Sequence, residues 1–323
     1  MKHTNIILSA AFAVLATATA TAQSLTISAP GYSSSKLFET AVGETIGGVD
    51  FNGTGDVYYL VRAATGTTKL QVRTAATSYA TATTLHDFGS AVYGSFVTLS
   101  GGKVFYGENS TGAIRVHDIA LDTDALLSVV PGNYELSVAP SGIGYLSENP
   151  GGFSAVNEVA TFNLTSGATT TKLTTSDYSG STAADELGRM YYGGSAFGVG
   201  GGIYRYSAAE VAAGGLTLDG AHQWVSNGGN SYFAFNDAGS LWQTDFAGLG
   251  FYNTTTAAYT AIGSSDDTIG NLAADSAQLF ASVTTYSGGQ KSAIFRVIPE
   301  PTSALLALGG LATLIVRRRR RVA

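Results

Sequence analysis

The chain contains no cysteine, which excludes a disulfide framework, a zinc knuckle and a thiol nucleophile. Charge is scarce as well. Only 12% of the 323 residues are Asp, Glu, Lys or Arg, too few for the charged outer faces that surface helices carry. Catalytic motifs are missing too: there is no Gly-x-Ser-x-Gly elbow, no Gly-x-x-x-x-Gly-Lys-Ser/Thr loop and no His-Glu-x-x-His. What the chain has instead is 41 glycines, abundant Ser and Thr, and 17 Tyr and 15 Phe in a 45% hydrophobic composition. That apolar content excludes wholesale disorder. Short strands joined by tight turns are the expected structure, and the expected class is all-β.

The two ends read as segments outside the fold. Lys2 and His3 form a polar start, Ile6 to Ala16 is apolar, and Ala20-Thr21-Ala22 supplies the small residues that signal peptidase needs before Gln23. Residues 1–22 are therefore expected to be a secretory signal. At the other end, Ile298-Pro299-Glu300-Pro301 leads into an apolar stretch from Thr302 to Val316, then Arg317, Arg318, Arg319, Arg320 and Arg321. At about 1.5 Å per residue that stretch reaches roughly 22 Å as a helix, short of the ~30 Å hydrocarbon core. Thinning of the bilayer or snorkelling of the arginines would have to close the gap. A basic cluster beside an apolar segment stays cytoplasmic, which puts the body outside the inner membrane.

Pro-Glu-Pro, a short apolar helix and an Arg cluster, in that order at the C-terminus, resemble the PEP-CTERM sorting signal of Gram-negative bacteria. The resemblance covers residues 299–323. It implies recognition by a membrane-embedded exosortase, with Pro299, Glu300 and Pro301 as the sorting motif and Arg317 to Arg321 as the stop-transfer anchor. It also implies cutting near the motif, display at the cell surface or in the extracellular matrix, and an association with exopolysaccharide and biofilm. Without Lys2, the five arginines and Glu300, the 17 basic and 23 acidic groups become 11 and 22, a body charge of −11. Such a surface repels phosphate backbones, so nucleic acid is not an expected partner.

The body repeats. A short alternating strand, a turn rich in Gly, Asp or Asn, and a second strand opening on an apolar and aromatic pair recur six times. The copies run over 49–58, 96–105, 136–145, 181–191, 233–242 and 271–280. The spacing of about 40 to 51 residues is that of a four-stranded propeller blade. Third strands follow at Lys69–Arg73, Ala113–His117, Gly202–Tyr206 and Ala293–Val297, and weaker fourth strands at Thr84–Phe88, His222–Val225 and Tyr259–Ile262. The copies resemble the units of six-bladed propellers of the NHL and sugar-lactone-esterase type. That resemblance implies a ring over residues 23–298, of six four-stranded blades, or seven if Ser24 to Ile46 holds most of another. Otherwise that segment completes the last blade beside Ala293 to Val297 and hides two sheet edges. A β-sandwich pair or a parallel β-helix would also use short strands at this spacing.

The chemistry-bearing residues give no convergent set. His86, His117 and His222 fall on third or fourth strands, away from the channel of a propeller. The resemblance implies a metal held by Glu, Asn and Asp at the channel mouth. Asp50, Glu108, Asn109, Asp185 and Asn271 are the residues available, and their places in the repeats form no convincing site. Asp122-Thr123-Asp124 and Ser265-Asp266-Asp267 could hold calcium, but neither has the turn glycine and distal Glu of an EF-hand loop. Gly198 to Gly202 precedes a strand, unlike a dinucleotide loop, and reads as a flexible loop between strands. Tyr191, Tyr192, Tyr232, Trp242 and Trp224 could stack on sugars, but most match core positions of the repeat. The expectation is a non-enzymatic, cofactor-free surface scaffold whose partners are signal peptidase, exosortase, exopolysaccharide and, in transit, the inner membrane. The alternative is a cation-dependent propeller enzyme acting on sugars or lactones.

Overall fold

The computed structural model describes residues 23–300 except 65, 91, 151–155, 177, 197–199, 230, 231 and 237. Ala20, Ala22, Pro301, the apolar stretch 302–316 and Arg317 to Arg321 lie outside the described residues. Among the described residues no helix is long and apolar enough to cross a membrane.

Six antiparallel sheets stand in a ring. Blade 1 is Thr45–Phe51, Val57–Arg62, Thr68–Arg73 and Ala82–Asp87, and blade 2 is Gly94–Ser100, Lys103–Glu108, Ala113–Asp118 and Thr123–Val129. Blade 3 is Asn133–Val138, Ile143–Glu148, Val156–Asn163 and Thr169–Ser176. Blade 4 is Thr182–Ala184, Met190–Ala196, Gly200–Tyr206 and Gln223–Val225, with a short helix, Ala208–Ala213, before its last strand. Blade 5 is Tyr232–Asn236, Ser240–Thr244, Gly248–Asn253 and Tyr259–Ser264, and blade 6 is Thr268–Ala274, Leu279–Thr285, Lys291–Pro299 and the N-terminal Tyr32–Glu39. The first strand of each blade touches the first strand of the next, and that of blade 6 touches that of blade 1. The fold is a closed six-bladed β-propeller.

The ring has one core per seam between blades, six in all. The reason lies in the second strand of each repeat. Neighbouring side chains on a strand point to opposite faces of the sheet, so two consecutive large residues serve both neighbours. Tyr58 packs toward blade 2 and Tyr59 toward blade 6. Tyr191 and Tyr192 divide in the same way, as do Leu241 and Trp242, and Leu279 and Phe280. The apolar and aromatic pair of the repeat is therefore the seam-filling device.

Turn chemistry repeats with it. Between first and second strands, Asn52 accepts the N–H groups of Thr54 and Asp56, and Asp185 accepts those of Leu187 and Arg189. Asn236 and Asp275 do the same for Ser240 and for Ala277 and Gln278. A carboxamide or carboxylate that mimics a backbone acceptor closes each of these turns.

The N-terminal segment divides between two blades, which corrects the expectation that all of it joins the last. Tyr32–Glu39 pairs with Lys291–Pro299 and closes blade 6, whereas Thr26–Ile27 adds a fifth strand to blade 5 beside Gly263 and Ser264. The chain turns between them at Gly31, where φ is +82°, and so passes from the edge of blade 5 to that of blade 6. A second correction concerns the glycine stretch: Gly200 to Gly202 lie within a strand, paired with Gly194, Ser195 and Ala196, while Gly198 and Val199 lie outside the described residues.

Candidate functional site

First strands begin on one face of the ring, here the upper face, and run to the lower. Second-to-third connections and blade-to-blade loops lie on the upper face. First-to-second and third-to-fourth turns lie on the lower.

The inner edges surround a central cavity of about 390 Å3. An inner strand leaves backbone groups unpaired on its channel side, and side chains of the neighbouring blade take up part of that debt. Asp50 of blade 1 accepts the Leu99 N–H of blade 2 at 2.6 Å, and its own Phe51 N–H at 2.8 Å. Thr98 donates to the Leu136 carbonyl at 2.5 Å, and Ser137 donates to the Thr182 hydroxyl at 3.2 Å. Tyr134 reaches Gly180, donating to its carbonyl at 2.8 Å and accepting its N–H at 3.0 Å. Blades 5 and 6 contribute Phe233, Ala234, Leu272 and Ala273 along with Tyr232, Asn271 and Asp275, so the wall mixes polar and apolar groups.

Two carboxyls of this wall are strongly perturbed. Burial pushes Asp50 up to about 7, against the two N–H bonds that favour its charge. Burial likewise pushes Glu135 up to about 8, against Ser181 and the Thr182 N–H. Glu135 Oε2 is left without a hydrogen-bond partner. Above it, burial and then the charges of Glu135 and Tyr286 raise Tyr232 to about 12.

The upper face also carries a cleft of about 290 Å3 at the junction of blades 6, 1 and 2. Tyr93 and Tyr286 form its rim, 60% and 61% exposed. Arg62, Gln290 and Thr45 supply its polar groups, and among the described residues no carboxylate lines it. Arg62 lies over the Tyr93 ring, 4.1 Å from its centroid. The loop that carries Tyr93 is pinned. The Tyr93 carbonyl accepts the Asn109 N–H at 2.9 Å, and the buried Thr68 donates to the Val92 carbonyl at 2.5 Å.

The residues singled out for metal do not converge. Glu108 is buried and closes its own turn, accepting the N–H groups of Ser110, Thr111 and Ala113. Asn109 donates to the Asn133 carbonyl. Asp185 is fully buried under the blade 4 turn, where it also accepts from the Arg189 Nε at 2.5 Å and the Tyr191 hydroxyl at 3.0 Å. Asp50 and Asn271 alone line the channel. Asp124 is occupied by Tyr106 and by the Arg115 Nε at 2.7 Å, with His86 Nδ1 3.4 Å away. Burial nevertheless lowers the His86 pKa, outweighing the pull of Asp124. His117 is buried 3.7 Å from the exposed Asp122, and His222 stacks on Tyr206 between Asp219 and Glu210. Asp267 donates its N–H to Ser265, whose hydroxyl bonds Ser24. Among the described residues no group of three His, Asp or Glu lies close enough to hold a cation.

The aromatic residues sort as core and mouth. Tyr191, Tyr192 and Trp242 are buried in seams, and the half-buried Trp224 packs on Tyr191 and Tyr252. Tyr232 is half-buried at the channel mouth. Sequence reasoning passed over Tyr93, Tyr286, Arg62 and Glu135. The first two stand outside the repeated strands, a position that separates them from the seam-filling tyrosines.

No family profile matches the chain, and no curated protein matches it. Solved structures do. The likeness is of fold.

A luciferin-regenerating enzyme aligns with TM-score 0.55 and 13% identity over 83% of this chain and 95% of that one. A calcium-binding regucalcin from Agrobacterium tumefaciens aligns with TM-score 0.53 and 14% identity over 79% and 91%. The PQQ-bound aldose sugar dehydrogenase from Streptomyces coelicolor gives 0.52 and 13% over 82% and 98%. These likenesses support the propeller fold and leave the chemistry to the residues of this chain.

Proposed function

We propose that this chain is an exported surface protein whose C-terminal PEP-CTERM signal is read by an exosortase, and whose propeller is a non-enzymatic scaffold associated with exopolysaccharide. The observation that carries the reading is the order Pro299-Glu300-Pro301, apolar segment, five arginines. The fold is compatible with it at both ends. Gln23, the first residue after the expected signal cleavage, is buried and donates to the Lys291 carbonyl at 3.0 Å. Pro299 is the last residue of its strand, and the Glu300 N–H bonds the Gly31 carbonyl at 2.7 Å. Lys291 and Pro299 are opposite ends of one strand, so the two ends of the body leave from opposite faces. Pro299 and Glu300 stand at the lower end of that strand, a position that suits a motif read by an enzyme in the membrane. The upper face, with its cleft and channel mouth, then points away from the membrane.

Replacing Pro299, Glu300 and Pro301 together by alanine tests the reading. The expected result is a folded protein retained with the inner membrane, while the wild type reaches the surface; equal surface display of both would overturn it. The second reading, a cation-dependent enzyme of sugars or lactones, is favoured by the perturbed Asp50 and Glu135. Asp50, however, already spends both oxygens on backbone N–H groups. Turnover that requires a divalent cation and is lost in D50N and E135Q would favour the enzyme.

A further inference from the structure

The body is acidic overall, yet among the described residues the cleft between Tyr93 and Tyr286 is lined by one cation and no carboxylate. Among the described residues Arg62 has no ion-pair partner, and its guanidinium lies over the face of Tyr93. An arginine held against a ring keeps its fork of donors free, and that fork matches a planar carboxylate. Two exposed aromatic rims suit a flat ligand with apolar C–H faces, while Gln290 and Thr45 can meet hydroxyl groups. The volume, about 290 Å3, falls just below the roughly 300–1,000 Å3 range of small-molecule sites, room for one residue of a polymer and little more.

We propose that this cleft binds a uronic acid residue of an extracellular polysaccharide, with its ring between Tyr93 and Tyr286 and its carboxylate on Arg62. The proposal rests on the surface location proposed above, because only an exported body meets such a polymer. Three features make the cleft a prepared site. The Tyr93 loop is fixed from both sides by Asn109 and Thr68. Tyr286 stands beside Gly288 and Gly289, whose φ values of +73° and +104° form a tight turn between the second and third strands of blade 6. Gly47 and Gly94 let blades 1 and 2 approach beneath it, since a Cβ on Gly47 would lie 2.4 Å from the Gly94 carbonyl oxygen. The acidic body disfavours a densely charged polymer, so a chain with spaced carboxylates is the better fit.

The test is calorimetric titration of the full-length protein, in a zwitterionic detergent, with trigalacturonate and with neutral galactotriose of the same linkage. The expected result is binding of the uronate at least about tenfold tighter than the neutral sugar, and weakening with salt. Arg62→Met keeps the side-chain stem and removes the charge. It should lower uronate affinity about tenfold or more, with thermal stability retained and neutral-sugar binding unchanged. Tyr286→Ala should weaken both sugars. Equal affinity for the two sugars, no uronate binding, or full uronate affinity in R62M would overturn the proposal. Failure here leaves sorting intact, because fractionation of cells judges sorting without any ligand.

Discussion

Phe51 of blade 1 and Phe280 of blade 6 meet with ring centroids 4.2 Å apart, which makes them the inner contact of the seam where the ring closes. Phe38 of the N-terminal strand lies 5.1 Å from Tyr59 in the same core. Every other seam joins blades adjacent in sequence. This one joins the first blade to the last, and it closes the circle together with the ladder between the N-terminal strand Tyr32–Glu39 and Lys291–Pro299. Phe280 is fully buried, and Phe280→Ala should destabilise the protein by about 3–5 kcal/mol. Urea denaturation gives the value, and a loss below about 1 kcal/mol would contradict this role for the seam.

Stability should fall as pH rises from about 4 to about 8. Asp50 and Glu148 are pushed up to about 7 and Glu135 to about 8, in each case chiefly by burial. Each binds its proton more tightly folded than unfolded, so the folded state holds more protons between the unfolded value near 4 and the folded one. Their contribution is complete at acid pH and is lost as pH climbs through that window. Glu210 and Asp219, held down to about 2 chiefly by hydrogen bonds from Ser207 and Thr217, act in the opposite sense below about pH 4. Both are exposed, and their effect is small. Melting temperature read from pH 5 to 8 should drop by several degrees, and E135Q should flatten the slope.

Asp185 gathers two turn N–H groups, Arg189 and the Tyr191 hydroxyl around one buried carboxylate. Asp185→Ala leaves all of them unpaired at the base of blade 4. The expected loss is about 3 kcal/mol, since removing one partner of a buried charged network exposes the desolvation cost of the rest. Chemical denaturation measures it directly.

The architecture was legible because each blade writes the same instruction: small residues, a Gly or Asx turn, then two adjacent large side chains. Gly48 shows why the small residues matter, since a Cβ there would lie 2.6 Å from the Phe96 carbonyl carbon of the next blade. The strand at Thr26–Ile27 was legible but its partner was not, because two residues carry no period that would assign them to blade 5 rather than blade 6. The roles of two residues weighed for metal were not legible either. Asp185 and Glu108 are turn-closing acceptors, and sequence alone does not separate a carboxylate that binds backbone N–H from one that is free for a ligand. The cleft was hidden by distance along the chain. Arg62, Tyr93 and Tyr286 come from a strand end and two loops of three different blades, and only ring closure brings the first and last blades together.

The most direct test of the account is the intact mass of the protein recovered from the cell surface or culture medium. The account predicts a species that starts at Gln23 and lacks the residues after about Pro301. Recovery only from the inner membrane of a species that keeps Arg317 to Arg321 would contradict it.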